Sequence, residues 1–451
     1  MPIRIIRFGG NSLKNRDHLQ FFTDELKKGN ESSVVVVSAI PEIYEILTDG
    51  LRKLTGHSAN YQSVIRKIEK KLETTGFHTH IPGIQEEFSQ LKNLLNGIQF
   101  TGDYSAGLRD TVISFSEKIS VQALADYLNQ TADARVIYPE DMDFRVTEEF
   151  GNATVPEEEN QVLKNFSFHK LSLVPGSYGI SRNKKIVRLG NHASDYTASA
   201  LARLLGAESL ELWEPARSFT TADSSIVPDS AVIPQLTYEE ASELSYFTHS
   251  SLHPRIVEPL TGKHIPIKIF RLSASGKKLE TIINPDLFVS ENVVKSVVSD
   301  DEIAVLKLNG PGVGFKPGIL AKITGGFHHA GINIRSVITS QVSINIILDK
   351  ADAEKARQIC SEIQLSSVNE LVIEDKVCLI AIVGHGMQTH HGVSARLFKA
   401  VADQKINVLL SGSGASDLSS YLVIDLKNKE KAIREIHKMF FTENPNNKFQ
   451  K

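Results

Sequence analysis

Ile3-Arg4-Ile5-Ile6-Arg7-Phe8-Gly9-Gly10-Asn11-Ser12 starts with an apolar run and ends in two glycines and a small polar pair. The run predicts a buried strand, and glycines directly after it let backbone N–H groups approach whatever the loop holds. A phosphate is a common guest of such a loop. The spacing is not that of a Walker loop, because no G-x-x-x-x-G-K-[ST] follows. Two readings stay open: a phosphate cradle led by Arg7, or a tight turn with Arg7 in solvent. Working outward, Val34-Val35-Val36-Val37 is a second β-branched run, ending at Ser38, as a parallel strand buried on both faces requires. Helix-period segments follow at 62–74, 86–95 and 112–127, with short strands expected at 134–138, 171–174, 208–213 and 265–270. A helix over 194–205 is expected to start with Ser194 as its N-cap and Asp195 in its first turn. Strands alternating with helices over about 270 residues predict a three-layer α/β/α sandwich with ligands at the strand C-terminal edge.

Bulk properties narrow the class. A length of 451 residues suggests two or three domains, and a net charge of −3 gives no basic excess to favour nucleic acid. The opening apolar run is too short for a signal peptide, and no 18-residue apolar stretch appears, so no membrane partner and a cytoplasmic location are expected. Two cysteines, Cys360 and Cys378, make no disulfide framework and suit a reducing compartment. The histidine pairs His78/His80, His328/His329 and His390/His391 lack cysteine or carboxylate partners at zinc-like spacing, so no protein-held metal is expected.

Past a connector near 276–300 the chain repeats itself. Gly318 and Gly392, Ile332 and Ile406, and Asn333 and Asn407 are each 74 positions apart. Each copy reads β-α-β-β-α-β.

Together these features resemble an aspartokinase: an amino-acid-kinase domain over 1–285 and two ferredoxin-like ACT domains over 295–370 and 371–445. The Gly331-Ile332-Asn333-Ile334 element resembles the G-I-N-I of ACT modules, and Arg7–Ser12 resembles the family's K-F-G-G-T-S. The strongest single match is Leu189-Gly190-Asn191-His192-Ala193-Ser194-Asp195-Tyr196-Thr197, against L-G-R-G-G-S-D-Y-T. The resemblance implies transfer of the ATP γ-phosphoryl group to the side-chain carboxylate of L-aspartate, the first step toward lysine, threonine and methionine. Mg2+ arrives with the ATP. The protein supplies positioning and positive charge rather than a covalent nucleophile.

Carried over residue by residue, Arg7 and Asp195 take the catalytic roles. Glu117, within Ser116–Ser120, meets the substrate amino group, and Ser38, Ser194 and Asn191 complete the substrate side. Gly9, Gly10, Asn11, Ser12, Trp213, Thr221 and Asp223 hold the nucleotide. The loops at 309–317 and 384–392 are expected to bind an amino-acid effector through Gly312, Gly314, Pro317, Gly318, Asn333, Gly392 and Asn407, with lysine or threonine as the family precedent and a homodimer formed through the ACT domains.

This chain departs from the family mainly at cations and at the nucleotide segment. Arg7 stands for Lys, Asn191 for the Arg that pairs with a substrate carboxylate, Ser250 for an ATP-contacting Lys, and Ser225 for a late Arg. Glu214-Pro215 replace Thr-Asp after the tryptophan, His192-Ala193 replace two glycines, and Tyr44 stands near the family's threonine. Two further expectations follow. One is a catalytically inactive aspartokinase-like amino-acid sensor or regulatory partner. The other, motivated by Asn191 alone, is a kinase for another small carboxylate.

Overall fold

A computed structural model describes residues 3–442 apart from 30, 57, 192, 216–217, 248–251, 254, 274–275, 286–292, 315, 364–366 and 415. The chain divides into two units. The first comprises Met1–Phe219, Ile233–Ser245 and Ser250–Phe288, and the second comprises Thr220–Val232, Tyr246–His249 and Val289–Lys451.

The strands of the first unit are β1 (Ile3–Phe8), β2 (Ser32–Val37), β3 (Ala134–Val136), β4 (Leu171–Pro175), β5 (Tyr178–Ile180), β6 (Ile186–Arg188), β7 (Leu210–Glu214), β8 (Gln235–Thr237), β9 (Ile267–Ser273) and β10 (Gly276–Asn284). Eight of them form one sheet in the order β3-β4-β2-β1-β7-β9-β10-β8, and β5 and β6 make a separate hairpin. Within the eight-stranded sheet pairing is parallel except between β9 and β10.

Side-chain alternation decides what each face does. Ile6, Phe8, Val35 and Val37 join one core with the helices Pro41–Thr55, Tyr61–Thr74, Pro82–Thr101 and Ala106–Asn129. Their neighbours Ile5, Arg7, Val34 and Val36 therefore point to the opposite face, where helix Ser194–Leu204 packs on β1, β2 and β7. Two of these helices begin with proline at N1, at Pro41 and Pro82, where the missing N–H costs nothing. The three-layer sandwich expected from the alternating pattern is the observed architecture.

The second unit holds two four-stranded antiparallel sheets, built from β11 (Ser296–Asp300), β12 (Ile303–Asn309), β13 (Ile334–Thr339), β14 (Ser343–Asp349), β15 (Glu370–Glu374), β16 (Val377–Val383), β17 (Val408–Gly412) and β18 (Ser419–Asp425). Their orders are β13-β14-β12-β15 and β11-β16-β18-β17, both ferredoxin-like. A division at 370/371 puts 295–300 with the first module, but the pairing Ser296↔Val383 carries that strand to the second. Val297 joins the second core with Ile380 and Ile382, while β15 closes the first sheet against β12. The first module is thus inserted between the β11 strand and the rest of the second. Gly318 and Gly392 start equivalent helices with φ of 85° and 84°, a left-handed backbone that glycine adopts without strain. Cys360 and Cys378 are free and buried in separate cores, and burial pushes their thiols up to about 11 and about 12. Among the described residues no helix is long and apolar enough to cross a membrane.

Candidate active site

Arg7 lies on the face of β1 turned toward the start of helix Ser194–Leu204, which explains its burial to 4% exposure. Its Nε lies 3.0 Å from Asp195 Oδ1 and 3.4 Å from Ser194 Oγ, and its Nη1 bonds the carboxylate of Glu214. Asp195 has no exposure, and its other oxygen accepts the His253 N–H at 3.0 Å. Two carboxylates therefore face one guanidinium. The solvated-arginine reading of the sequence is corrected: alternation turns Arg7 inward, and a buried charge needs these partners. Ser194 is not the N-cap either. That position belongs to Ala193, with no side-chain cap bond, and the Ser194 hydroxyl lies 2.7 Å from Ser38 Oγ instead.

The glycine loop is filled by its own chain. A Cβ placed on Gly9 would come within 2.3 Å of Glu214 Oε1, and one on Gly10 within 1.8 Å of the Ala39 carbonyl oxygen. The Gly9 N–H is already given to Trp213 O at 3.2 Å, and Ser12 N–H to Gly9 O at 2.9 Å. Asn11 is exposed, whereas Ser12 is buried with its hydroxyl unpartnered. The Trp213 ring is wholly buried, with Nε1 donating to Glu211 at 2.8 Å and Phe22 edge-on at 5.4 Å, so it offers a ligand no face. These residues do not fit Mg-ATP. The loop that should admit polyphosphate carries an acid in contact with its one cation, and like charge repels. Among the described residues no cluster suits a metal ion.

The substrate side is better kept. Glu117, on helix Ala106–Asn129, is buried beside Ser116 Oγ at 3.0 Å and is also hydrogen-bonded by the Ser177 side chain. Ser177 has φ of 72°, a strained value for a non-glycine residue, which the turn after β4 imposes. Burial raises the Glu117 carboxyl above its ordinary value of 4.5, while the Arg188 charge acts in the opposite direction. The folded protein therefore holds that proton more tightly than the unfolded chain. Stability drawn from it is complete below 4.5 and is lost as pH rises through the raised value. We expect Glu117→Gln to match the parent near pH 4 and to melt progressively higher than the parent as pH rises toward 8. A melting difference independent of pH would contradict this burial argument.

Asn191 is exposed, and its Oδ1 accepts the Tyr44 hydroxyl at 2.9 Å. Lys184 and Lys185 turn away on the β5–β6 hairpin, where Lys185 binds Glu148 at 2.6 Å. Arg188, at the end of β6, lies with its guanidinium carbon 5.2 Å from the centre of the Tyr44 ring, and its charge acts on the Glu117 carboxyl. No motif singles it out, since the position three residues before Asn191 belongs to none. Its signal was an arginine closing a short apolar strand.

Thr221 and Asp223 belong to the second unit. Thr221 Oγ1 lies 2.9 Å from His437 Nε2 and accepts the Ala231 N–H at 3.0 Å, while Asp223 Oδ1 holds Ser225. In the ACT loops Gly312 has φ of 79°, and Gly314 packs where a Cβ would lie 2.1 Å from Ser340 O. Pro317, Gly318, Gly392, Asn333 and Asn407 are exposed, the two asparagines directly before β13 and β17. His192 and Ser250 lie outside the described residues. Two cavities of the first unit, about 290 and 560 Å³, flank the Arg203–Glu157 ion pair and are lined by none of the candidate residues. Shape alone does not locate this site.

Comparison with known proteins agrees with the architecture. Residues 2–271 match the amino acid kinase family, and residues 298–360 and 380–440 each match an ACT domain. The bifunctional aspartokinase/homoserine dehydrogenase of Haemophilus influenzae is 26% identical over 465 residues, 97% of this chain and 56% of its own length. Aspartokinase 2, chloroplastic, of Arabidopsis thaliana is 26% identical over 472 residues, covering 98% and 85%. The chain thus spans little more than half the length of the bifunctional relatives. Aspartokinase III of E. coli, solved with aspartate and ADP, superposes with a TM-score of 0.79 at 20% identity, covering 97% and 99%. That identity speaks for the fold. The aspartate kinase of Clostridium acetobutylicum gives 0.76, also at 20% identity, covering 97% and 100%. With its kinase-type sandwich, its paired ferredoxin-like sheets and matches along nearly its whole length, the chain belongs to the amino acid kinase family, on its aspartokinase branch, and carries two ACT domains.

Proposed function

We propose that the kinase-type domain of this chain binds a small amino acid without phosphorylating it, and that the protein works as an amino-acid-responsive regulatory member of the aspartokinase family. One observation carries this reading: the Glu214 carboxylate lies against Arg7 and over Gly9, where polyphosphate would have to sit. Pro215 adds to it, since a proline brings no backbone donor. The ACT modules supply the effector site at the loops 309–317 and 384–392 and the contacts of a homodimer, in the cytoplasm.

A second reading, an active aspartokinase using Mg-ATP and L-aspartate, is favoured by a different observation. Ser194 and Asp195 still lie at hydrogen-bond distance from Arg7, and Ser38 from Ser194. Calorimetric titration with Mg-ATP, followed by a hydroxylamine trap for aspartyl phosphate, separates the two. The sensor reading expects no heat at millimolar Mg-ATP and no hydroxamate with aspartate. Saturable Mg-ATP binding with hydroxamate formation retires it in favour of the kinase.

A further inference from the structure

We propose that Arg188 is a specificity-determining residue that receives the α-carboxylate of the bound amino acid, opposite Glu117, which receives its ammonium. The inference rests on the reading that this domain binds an amino acid, and it names the groups that select one.

Arg188 is 6% exposed. A guanidinium carries five N–H donors, yet among the described residues only Nη2 makes a hydrogen bond, to Gly190 O at 3.0 Å. Its Nε is buried and, among the described residues, has no hydrogen-bond partner. Leaving a buried charged donor unmade is costly, and native structures seldom tolerate it without a use. The guanidinium carbon lies 5.2 Å from the centre of the Tyr44 ring, and Asn191 holds that ring by its hydroxyl at 2.9 Å. The cation is therefore oriented on one side by an aromatic face and on the other by a carbonyl, with Nε left over.

Glu117 is buried as well, on the helix Ala106–Asn129 that packs against β6, and the Arg188 charge acts on its carboxyl. Among the described residues the two form no ion pair within 4.0 Å. A buried guanidinium with a spare donor, on an element packed against the helix that carries a buried carboxylate, matches a ligand whose ammonium and carboxylate are joined through one carbon. That is an α-amino acid. Asn191 is neutral and brings no charge to a carboxylate, and its carbonyl oxygen accepts the Tyr44 hydroxyl.

The test is calorimetric titration of the full chain with L-aspartate, β-alanine (no α-carboxylate) and succinate (no amino group). The parent should prefer aspartate to both. Arg188→Gln should weaken aspartate by about 10-fold or more, the worth of a charged hydrogen bond, and erase the preference over β-alanine. Glu117→Gln should erase the preference over succinate and leave that over β-alanine. Arg188→Lys keeps the charge but loses the fork, so an intermediate affinity is expected; it also serves if the glutamine variant fails to fold, which fluorescence of the single buried Trp213 reports. Arg188→Gln binding aspartate as tightly as the parent, with its preference over β-alanine intact, overturns the assignment alone. A parent that binds none of the three at millimolar concentration overturns this inference and the amino-acid-binding reading together. Mg-ATP turnover retires the sensor reading and leaves Arg188 where it is placed here.

Discussion

Arg7→Ala is expected to destabilise the first unit by about 3–5 kcal/mol, the cost of leaving buried charge without its partner. The two acids that face Arg7 differ in depth: the Asp195 side chain has no exposure, while that of Glu214 keeps 13%. Without the guanidinium the two carboxylates are left without their shared cation. The lone tryptophan, Trp213, pairs with Phe8 across β1 and β7, one residue from Arg7, so its fluorescence during urea unfolding reads the loss locally. Arg7→Ala combined with Glu214→Gln should recover part of the stability, because one of the two stranded charges is gone. A loss below about 1 kcal/mol for the single variant would mean that the pair behaves like an exposed salt bridge, and the closed-site reading would fail with it.

The two glycines of the loop should respond very differently to the same substitution. Gly10→Ala drives a methyl group to 1.8 Å from the Ala39 carbonyl, with Pro41 Cδ at 3.3 Å behind it. Both belong to backbone or to a ring that cannot swing aside. A loss of about 3 kcal/mol is expected, the upper end for overpacking. Gly9→Ala meets only the end of the Glu214 side chain, at 2.3 Å, and that carboxylate can rotate away. Its loss should be smaller, about 1–2 kcal/mol, because a flexible side chain gives way but leaves its contact with Arg7. Equal losses at the two positions, by the same unfolding measurement, would show that Glu214 is held in place as firmly as backbone.

Much of the fold is legible in the primary structure because its signals are local. The β-branched runs of β1 and β2, the helix periods between them and the 74-residue spacing of the second half each depend on residues within a few turns of one another. The site is legible only as a set of positions. Ser38, Glu117, Ser194 and Asp195 can be named from motif context, but nothing in a linear motif says that the Ser194 hydroxyl goes to Ser38 rather than to a helix cap. Nor does it say that the β11 strand crosses to the second sheet, since either module could bury Val297.

The amino-acid order alone determined the class, the domain sequence and the list of lost cations. Tertiary structure decided whether the remaining cation was open to a phosphate, and it closed that cation with an acid 207 residues away. It also buried Arg188, a positive group without a motif, and left its Nε unpartnered among the described residues. The reason is physical: periodicity and propensity act along the chain, whereas the pairing of buried charges is set by which strands and helix ends the fold brings within a few ångströms.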